Sequence, residues 1–449
     1  MSRLFGTDGV RGVANSELTC ELALKLGRAA AIVLTQELHT RPKVLIGMDT
    51  RISSDMLASS MAAGLCSVGV DVMQLGVVPT PAVAYLVKAY GYDAGVMISA
   101  SHNSFEYNGI KIFQSEGYKL PDELEDKIEK LILDDKTLAP LIIGEDVGKI
   151  THSNTAIFDY ISHIQSAVDI TFDGMKIALD CANGASYVSA PELFMRLGAK
   201  CCLLGCKPDG ININKNCGST DLDALSRFVS ANDCTVGFAF DGDADRLLAV
   251  DENGEVVNGD KIIAICAKGL KESGKLGGNT AVVTVMSNMG FFDFCDNNAI
   301  NCETTKVGDR YVLERMVEKG YSIGGEQSGH VIFLDHASTG DGQLTALKLL
   351  EIIKKSGKML SELAAEVPVY PQVLQNVRVS NIGKVRFESD IEIKNAIEKA
   401  EKELGSGGRV LVRVSGTEPL VRVMLEGKDK ELIKKLADEI SQVISERLI

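Results

Sequence analysis

Three aspartates at alternate positions, Asp241, Asp243 and Asp245, follow the apolar run Phe238-Ala239-Phe240, and Arg246 stands beside them. Alternate side chains of an extended segment point to one side, so these carboxylates can converge on a hard divalent cation, Mg²⁺ or Ca²⁺. The acidic spacing through Glu252 imitates an EF-hand loop, but Arg246 occupies the position that needs glycine and both flanks read as strands. A second candidate is Ser101-His102-Asn103, with Lys111 shortly after. A serine behind a buried strand, next to a base and near a cation, is a candidate nucleophile. No G-x-S-x-G elbow surrounds it, which argues against a hydrolase triad. Gly324-Gly325-Glu326-Gln327-Ser328-Gly329-His330 offers an acceptor, an amide and a hydroxyl that suit sugar hydroxyls. Arg413-Val414-Ser415-Gly416-Thr417-Glu418-Pro419 with Arg422 offers guanidinium groups, hydroxyls and glycine-exposed N–H groups, a cradle for phosphate. The GxxxxGK run at Gly269–Lys275 lacks the following Ser or Thr and sits behind a helical pattern, so it is no P-loop.

The elements that must position these residues repeat. Three stretches share the order strand, turn, helix, glycine, strand, helix, strand. First strands are predicted at Val44–Gly47, Ile177–Asp180 and Ala281–Val285, and second strands at Val70–Leu75, Ala199–Leu204 and Ala299–Glu303. Third strands are predicted at Gly95–Ile98, Thr235–Phe240 and Tyr321–Ile323, each running into one of the three loops above. Ligands of such sheets sit beyond the carboxyl ends of strands. A smaller unit follows Val367-Pro368, with a strand at Asn376–Ser380, a helix from about Glu388 to Leu404 and a final helix Lys430–Arg447. The expected fold is therefore three consecutive similar α/β domains with mixed, mainly parallel sheets, plus a smaller C-terminal α+β domain, around one central cleft. Their expected limits are 1–150, 151–255, 256–368 and 369–449. The acidic segment Pro121–Lys136 reads as a solvated surface helix.

At 449 residues the chain exceeds one core, and roughly 100 to 200 residues per domain predicts three or four. A formal charge of −14 excludes a general nucleic-acid surface, so an anionic substrate must meet local cations. No apolar run is long enough for a membrane span, and the start Met1–Gly6 lacks the apolar core of a signal peptide; the expected compartment is the cytoplasm. The 11 cysteines form no CxxC pair, and Cys201, Cys202 and Cys206 read as reduced thiols of a buried strand.

With all four loops in order, the chain resembles the α-D-phosphohexomutase superfamily along its whole length. Phe5-Gly6-Thr7-Asp8-Gly9-Val10-Arg11-Gly12, Asp180-Cys-Ala-Asn-Gly-Ala185 and Val307-Gly-Asp-Arg-Tyr-Val312, with Gln327, resemble its branch acting on glucosamine phosphates. The resemblance implies that Ser101 is carried as phosphoserine and that one Mg²⁺ per subunit binds Asp241, Asp243, Asp245 and a phospho-Ser101 oxygen. It implies interconversion of glucosamine 6-phosphate and glucosamine 1-phosphate, on the route to UDP-N-acetylglucosamine and the cell wall. Glucosamine 1,6-bisphosphate would be the intermediate and activator. Lys111 and His102 are then candidates for proton transfer, and Arg11 and Arg246 for orienting the transferring group. Gly325, Glu326, Ser328, His330 and Arg310 are candidates for sugar binding, and Arg413, Ser415, Gly416, Thr417 and Arg422 for the distal phosphate. Neutral hexose phosphates remain the alternative substrates, as for phosphoglucomutases and phosphomannomutases; a silent sugar-phosphate binder or a metal-dependent phosphatase is more distant. Ser104 departs from the family, which usually has proline there. A homodimer, and a kinase or autophosphorylation that first charges Ser101, are compatible with the sequence and not specified by it.

Overall fold

The computed structural model describes residues 4–6, 8–35, 41–133, 141–415 and 419–448. Thr7, Gly416, Thr417, the first three residues and positions 134–136 of the segment expected to be an acidic helix lie outside the described residues. The chain forms two compact units: Met1–Met286 with Ala299–Glu366, and Ser287–Asn298 with Val367–Ile449.

Three sheets lie in the first unit. The first has six strands in the order Val10–Val13, Tyr107–Gln114, Ala94–Ile98, Lys43–Met48, Asp71–Val77 and Ile150–His152. The second has five, Val256–Val257, Leu247–Val250, Val236–Phe240, Lys176–Asp180 and Lys200–Leu204. The third has four, Asn301–Thr305, Thr280–Thr284, Ile323–Gly325 and Val331–Phe333. One scheme recurs: the first strand of each repeat pairs in parallel with the second and the third, and the third then pairs antiparallel with a fourth. The fourth strand makes the sheets mixed, and it turns each chemistry-bearing loop into the connection of an antiparallel pair.

The residue types explain the layering. Ala94–Ile98, Val236–Phe240 and Thr280–Thr284 are buried at every position, as expected of strands with both faces covered. In the third repeat the last parallel strand is Ile323–Gly325, two residues beyond the expected one. Gly324 and Gly325 looked like turn residues, but a Cβ on Gly324 would lie 2.7 Å from Met316 Sδ, so the small residue is what lets the helix Asp309–Lys319 close on this strand. The cysteine reading also needs correction. Lys200–Leu204 is the edge strand of its sheet, which leaves Cys201 and Cys202 only half-buried, although all 11 cysteines are free thiols. The acidic helix Asp122–Leu133 is amphipathic, with Ile128 and Ile132 in the core of the first sheet.

The second unit is a three-stranded antiparallel sheet, Gln372–Arg378, Leu420–Gly427 and Gly408–Val414. Ile391–Leu404 and Lys430–Leu448 bury Ile393, Leu404, Leu436, Ile440 and Ile444 against it. Asp390 caps the first of these helices by accepting from the Glu392 and Ile393 N–H groups. The helix Met289–Asn297 joins this unit: Tyr370 N donates to Asn288 Oδ1 at 2.9 Å and Met289 N to the buried Glu426 Oε2 at 3.1 Å.

One buried acid makes stability depend on pH. Asp341 caps the helix Gly342–Ser356 by accepting from Leu344 N at 2.9 Å, and it accepts from Tyr160 Oη at 2.9 Å. Burial pushes its carboxyl up to about 6 despite these bonds. A raised carboxylate pKa gives stability that is full below the unfolded value and lost as pH rises through the folded one, roughly 3 kcal/mol at most. Asp341→Asn keeps the cap acceptor and removes the titration. Its urea midpoint is expected to gain on the parent between pH 4 and pH 7; a pH-independent difference would contradict this.

Candidate active site

Ile98 ends the third strand of the first sheet, and the chain turns at Ser101 with φ +53°, a left-handed conformation that a non-glycine residue holds only when its surroundings fix it. Those surroundings are specific. Arg51 Nη2 donates to the carbonyls of Ser101 at 3.0 Å and Asn103 at 2.6 Å. Asn214 Nδ2 reaches the same two carbonyls at 2.9 and 3.0 Å. Ser101 N donates to Ser99 Oγ at 2.9 Å, and Ser99 Oγ donates to Asp49 Oδ2 at 2.6 Å. Asp49 also pairs with Arg51, and both side chains are fully buried. A charge network inside the fold thus sets the backbone of the serine loop.

The aspartate loop leaves the third strand of the second sheet at the same topological point. Asp241, Asp243 and Asp245 are buried, and one oxygen from each lies within 4.8 Å of the others. Ser101 Oγ donates to Asp241 Oδ2 at 2.6 Å, which joins the two candidate loops. A Cβ on Gly242 would stand 2.5 Å from the Ser101 carbonyl oxygen, so this close approach requires glycine. Thr80 holds Asp243 twice, with N to its carbonyl at 2.9 Å and Oγ1 to Oδ2 at 2.6 Å.

The three carboxylates fit a divalent cation. Asp243 Oδ1 and Asp245 Oδ1 are buried and lack a hydrogen-bond partner among the described residues. Burial, then repulsion from Asp245 and Asp243, raises the Asp241 carboxyl well above the usual range. Such a set is costly without positive charge inside it, and all-oxygen donors suit a hard ion.

Lys111 supplies part of that charge: its Nζ lies 2.7 Å from Asp243, 3.1 Å from Asp8 and 3.4 Å from Asp245. Burial alone would lower its pKa, but these carboxylates outweigh it and hold the ammonium well above the usual value. The network continues through Asp8, which pairs with Arg11 and lies 2.6 Å from Lys119, to Asp309, 2.6 Å from Lys119 on its other side. His330 closes the ring, with Nδ1 3.7 Å from Asp245 and Nε2 3.4 Å from Asp309. Burial pushes His330 down, and the two carboxylates push it further up. His102 behaves oppositely: burial first, then Arg246 and Arg11, lower it to about 4, so the ring is neutral at pH 7 with Nδ1 3.3 Å from Ser101 Oγ. Arg246 N donates to Asp241 Oδ1 at 3.1 Å, while the buried Nε atoms of Arg246 and Arg11 have no hydrogen-bond partner among the described residues.

The first unit therefore gathers Ser101, His102, Lys111, Arg11, Arg246, the three aspartates and His330. Glu326 stands at the edge of this group and accepts from Gly308 N at 3.0 Å. Gly325 is a buried strand residue, and Ser328 is exposed at the loop tip. Arg310 lies 2.6 Å from Asp122 and 3.2 Å from Glu314. In the second unit Arg413 and Arg422 face each other across neighbouring strands, and burial followed by the Arg422 charge lowers the Arg413 guanidinium. Like charges placed directly opposite are unfavourable unless an anion joins them. Ser415 lies next to this pair, with its N–H bonded to Leu420 O at 2.9 Å.

Sequence reasoning missed Asp49, Arg51, Thr80, Asn214 and Lys119. A signal existed for the first two: Asp49-Thr50-Arg51 follows the first strand's carboxyl end, where ligands gather. Nothing local marks Asn214, which becomes important only when the second repeat meets the first.

The chain matches the four family models of phosphoglucomutase/phosphomannomutase: α/β/α domain I at residues 2–139, domain II at 158–254, domain III at 258–370 and the C-terminal domain at 374–443. It is 56% identical over 448 residues to the phosphoglucosamine mutase of Acetivibrio thermocellus, covering 100% of both chains. It is also 56% identical over 450 residues to that of Caldicellulosiruptor bescii, again with 100% of both chains covered. Among crystal structures, a phosphoglucomutase/phosphomannomutase family protein of Burkholderia thailandensis superposes with a TM-score of 0.84 at 23% identity, covering 100% of this chain and 98% of the other. Aspergillus fumigatus N-acetylphosphoglucosamine mutase, in complex with GlcNAc-6P and magnesium, gives 0.70 at 17% identity over 99% and 96% of the two chains. Matched by all four domain models and by relatives more than half identical over its whole length, the chain belongs to the phosphoglucomutase/phosphomannomutase family of phosphohexomutase isomerases.

Proposed function

We propose that this phosphohexomutase interconverts glucosamine 6-phosphate and glucosamine 1-phosphate through phospho-Ser101. The observation that carries the mechanism is Ser101 Oγ at 2.6 Å from Asp241 Oδ2, beside buried Asp243 and Asp245 oxygens that lack a hydrogen-bond partner among the described residues. The substrate reading is supported by the whole-length relatives named phosphoglucosamine mutase.

In the forward direction the phosphoryl group leaves Ser101 Oγ as its P–O bond breaks, and a new P–O bond forms to O1 of the sugar phosphate. The O1 proton passes to the protein, and Ser101 Oγ regains one. The resulting 1,6-bisphosphate then presents its 6-phosphoryl group to Ser101, the same exchange runs in reverse, and glucosamine 1-phosphate leaves. Lys111 and His102 carry the proton, His102 Nδ1 being 3.3 Å from Ser101 Oγ and Lys111 held as an ammonium by its carboxylates. Arg11 and Arg246 turn donors toward the transferring group. Asp241, Asp243 and Asp245, with an oxygen of phospho-Ser101, would hold one Mg²⁺. When bound, it neutralises charge on the phosphoryl group in flight. Glu326, Ser328, Arg310 and His330 are assigned to the sugar side, and Arg413, Ser415 and Arg422, with Gly416 and Thr417, to the distal phosphate. Domain limits at 1–150, 151–255, 256–368 and 369–449 belong to the same proposal.

Specificity constants for glucosamine, glucose and mannose 6-phosphates test the substrate. Glucosamine 6-phosphate is expected to lead by at least roughly tenfold, the scale of one good polar contact. A neutral hexose phosphate in the lead would overturn the substrate and leave the phosphoserine mechanism standing.

A further inference from the structure

A cavity of about 420 Å³ lies in the first unit between the helix Thr80–Ala89 and the segment Leu334–Asp341. Its volume is that of a small-molecule site. No step above uses it.

Its walls restrict what could enter. Pro81, Ala84 and Ala89 from one helix face, with Ala337 opposite, are small and let a flat ring approach the backbone closely. Tyr85 and His163 stack with ring centroids 3.8 Å apart and an interplanar angle of 9°, which gives the cavity a planar aromatic side. Thr339 Oγ1, closed off from solvent within the wall, lacks a hydrogen-bond partner among the described residues, so a ligand that spreads the wall gains one hydroxyl contact. The one lysine of the lining, Lys88, is paired with Glu116 at 2.9 Å, while Asp335 and Asp341 add carboxylates. Among the described residues of the lining, an anion such as a sugar phosphate would find no unopposed lysine or arginine. The favoured occupant is an uncharged flat ring with a hydrogen-bonding group.

Both walls end on the aspartate loop. The helix begins at Thr80, which holds Asp243 through N at 2.9 Å and Oγ1 at 2.6 Å. The other wall runs into Gly340, whose N lies 3.0 Å from His330 Nε2, and into Gly342, whose N–H donates to the Ala244 carbonyl at 3.0 Å. A ligand that spreads or tightens the walls must therefore move groups attached to Asp243, Ala244 and His330.

We propose that this cavity is a second, regulatory site for an uncharged flat ring of the nucleobase or phenol class, coupled to cation binding at Asp241, Asp243 and Asp245. Calorimetry on the full chain, with adenosine, uridine and 4-methylphenol as probes and the two nucleoside 5′-monophosphates as controls, tests it. At least one uncharged probe is expected to bind, and the leading probe separates a base from a phenol. If a nucleoside leads, its monophosphate is expected to bind at least about tenfold more weakly, from the missing cation. Ala337→Trp fills the space and should abolish binding, and Thr339→Val, which removes only the hydroxyl, should weaken it about fivefold. Thr339→Val should keep basal turnover. Saturating probe should change the Mg²⁺ dissociation constant at least about threefold, and Mg²⁺ should change the probe's by the same factor. Failure of every uncharged probe to bind at its solubility limit would overturn the site, as would undiminished binding to both variants or preference for a monophosphate. An unchanged Mg²⁺ affinity would overturn the coupling. Because the readouts are binding constants, these results do not depend on which hexose the enzyme prefers.

Discussion

Ser101→Ala is expected to lower turnover at least about a thousandfold, because it removes the atom proposed to carry the phosphoryl group between two sugar oxygens. The loss should appear in kcat more than in KM, since the groups that bind the sugar phosphate are untouched. Added 1,6-bisphosphate should not restore activity, whereas it should activate unphosphorylated parent enzyme. Ser104 is the control. It is exposed three residues away in the same loop, and Ser104→Ala is expected to keep turnover within about twofold. Peptide mapping of the purified parent should place phosphate on Ser101 alone. Phosphate on Ser104, or a Ser101→Ala enzyme with parental turnover, would remove the basis of the mechanism.

Arg51→Ala is expected to be the most damaging substitution outside the reacting groups. It strands the fully buried Asp49 carboxylate, and removing one partner of a buried pair costs roughly 3 to 5 kcal/mol. It also takes the guanidinium from the Ser101 and Asn103 carbonyls, leaving Asn214 as the donor that bridges them. The first unfolding transition in urea should move to lower concentration, and phosphoryl transfer to Ser101 should slow in single-turnover measurements. Replacing Asp49 by Asn in the same chain should recover part of the stability, because the stranded charge is gone, but not the transfer rate, because the loop remains unclamped. Recovery of both together would mean that Arg51 acts on stability alone. An unshifted transition for Arg51→Ala would contradict the buried-pair account.

The sequence made the outline legible for a physical reason. Buried parallel strands such as Ala94–Ile98 and Val236–Phe240 are continuous apolar runs, and each empties into a loop whose polar residues stand out. Ser101 and the three aspartates were visible for that reason. The joining of these loops was not visible, because the Ser101–Asp241 bond spans residues from different repeats, as do the bonds from Asn214 to the serine loop. Lys111 shows the same limit. Its type and place suggested proton transfer, but its carboxylates, contributed by separate repeats, are what hold it charged. Strand ends drifted where glycine was ambiguous, as at Gly324-Gly325, and burial was overestimated where an edge strand, Lys200–Leu204, carried apolar residues.

The recurring fourth strand has a consequence for how the chain tolerates change in length. Each chemical loop is closed by a rung of paired residues: Ile98 opposite Ile110, Phe240 opposite Leu247, Gly325 opposite Val331. The positions of the proposed nucleophile, the carboxylates and the proposed sugar contacts are therefore read out from the sheets like marks on a ruler. Adding or deleting one residue inside any of these spans must either deform the loop or slip the return strand, and a slip exchanges its buried and exposed faces. Engineering that seeks new sugars or new nucleophiles on this scaffold should exchange residues within the three loops and leave their lengths alone.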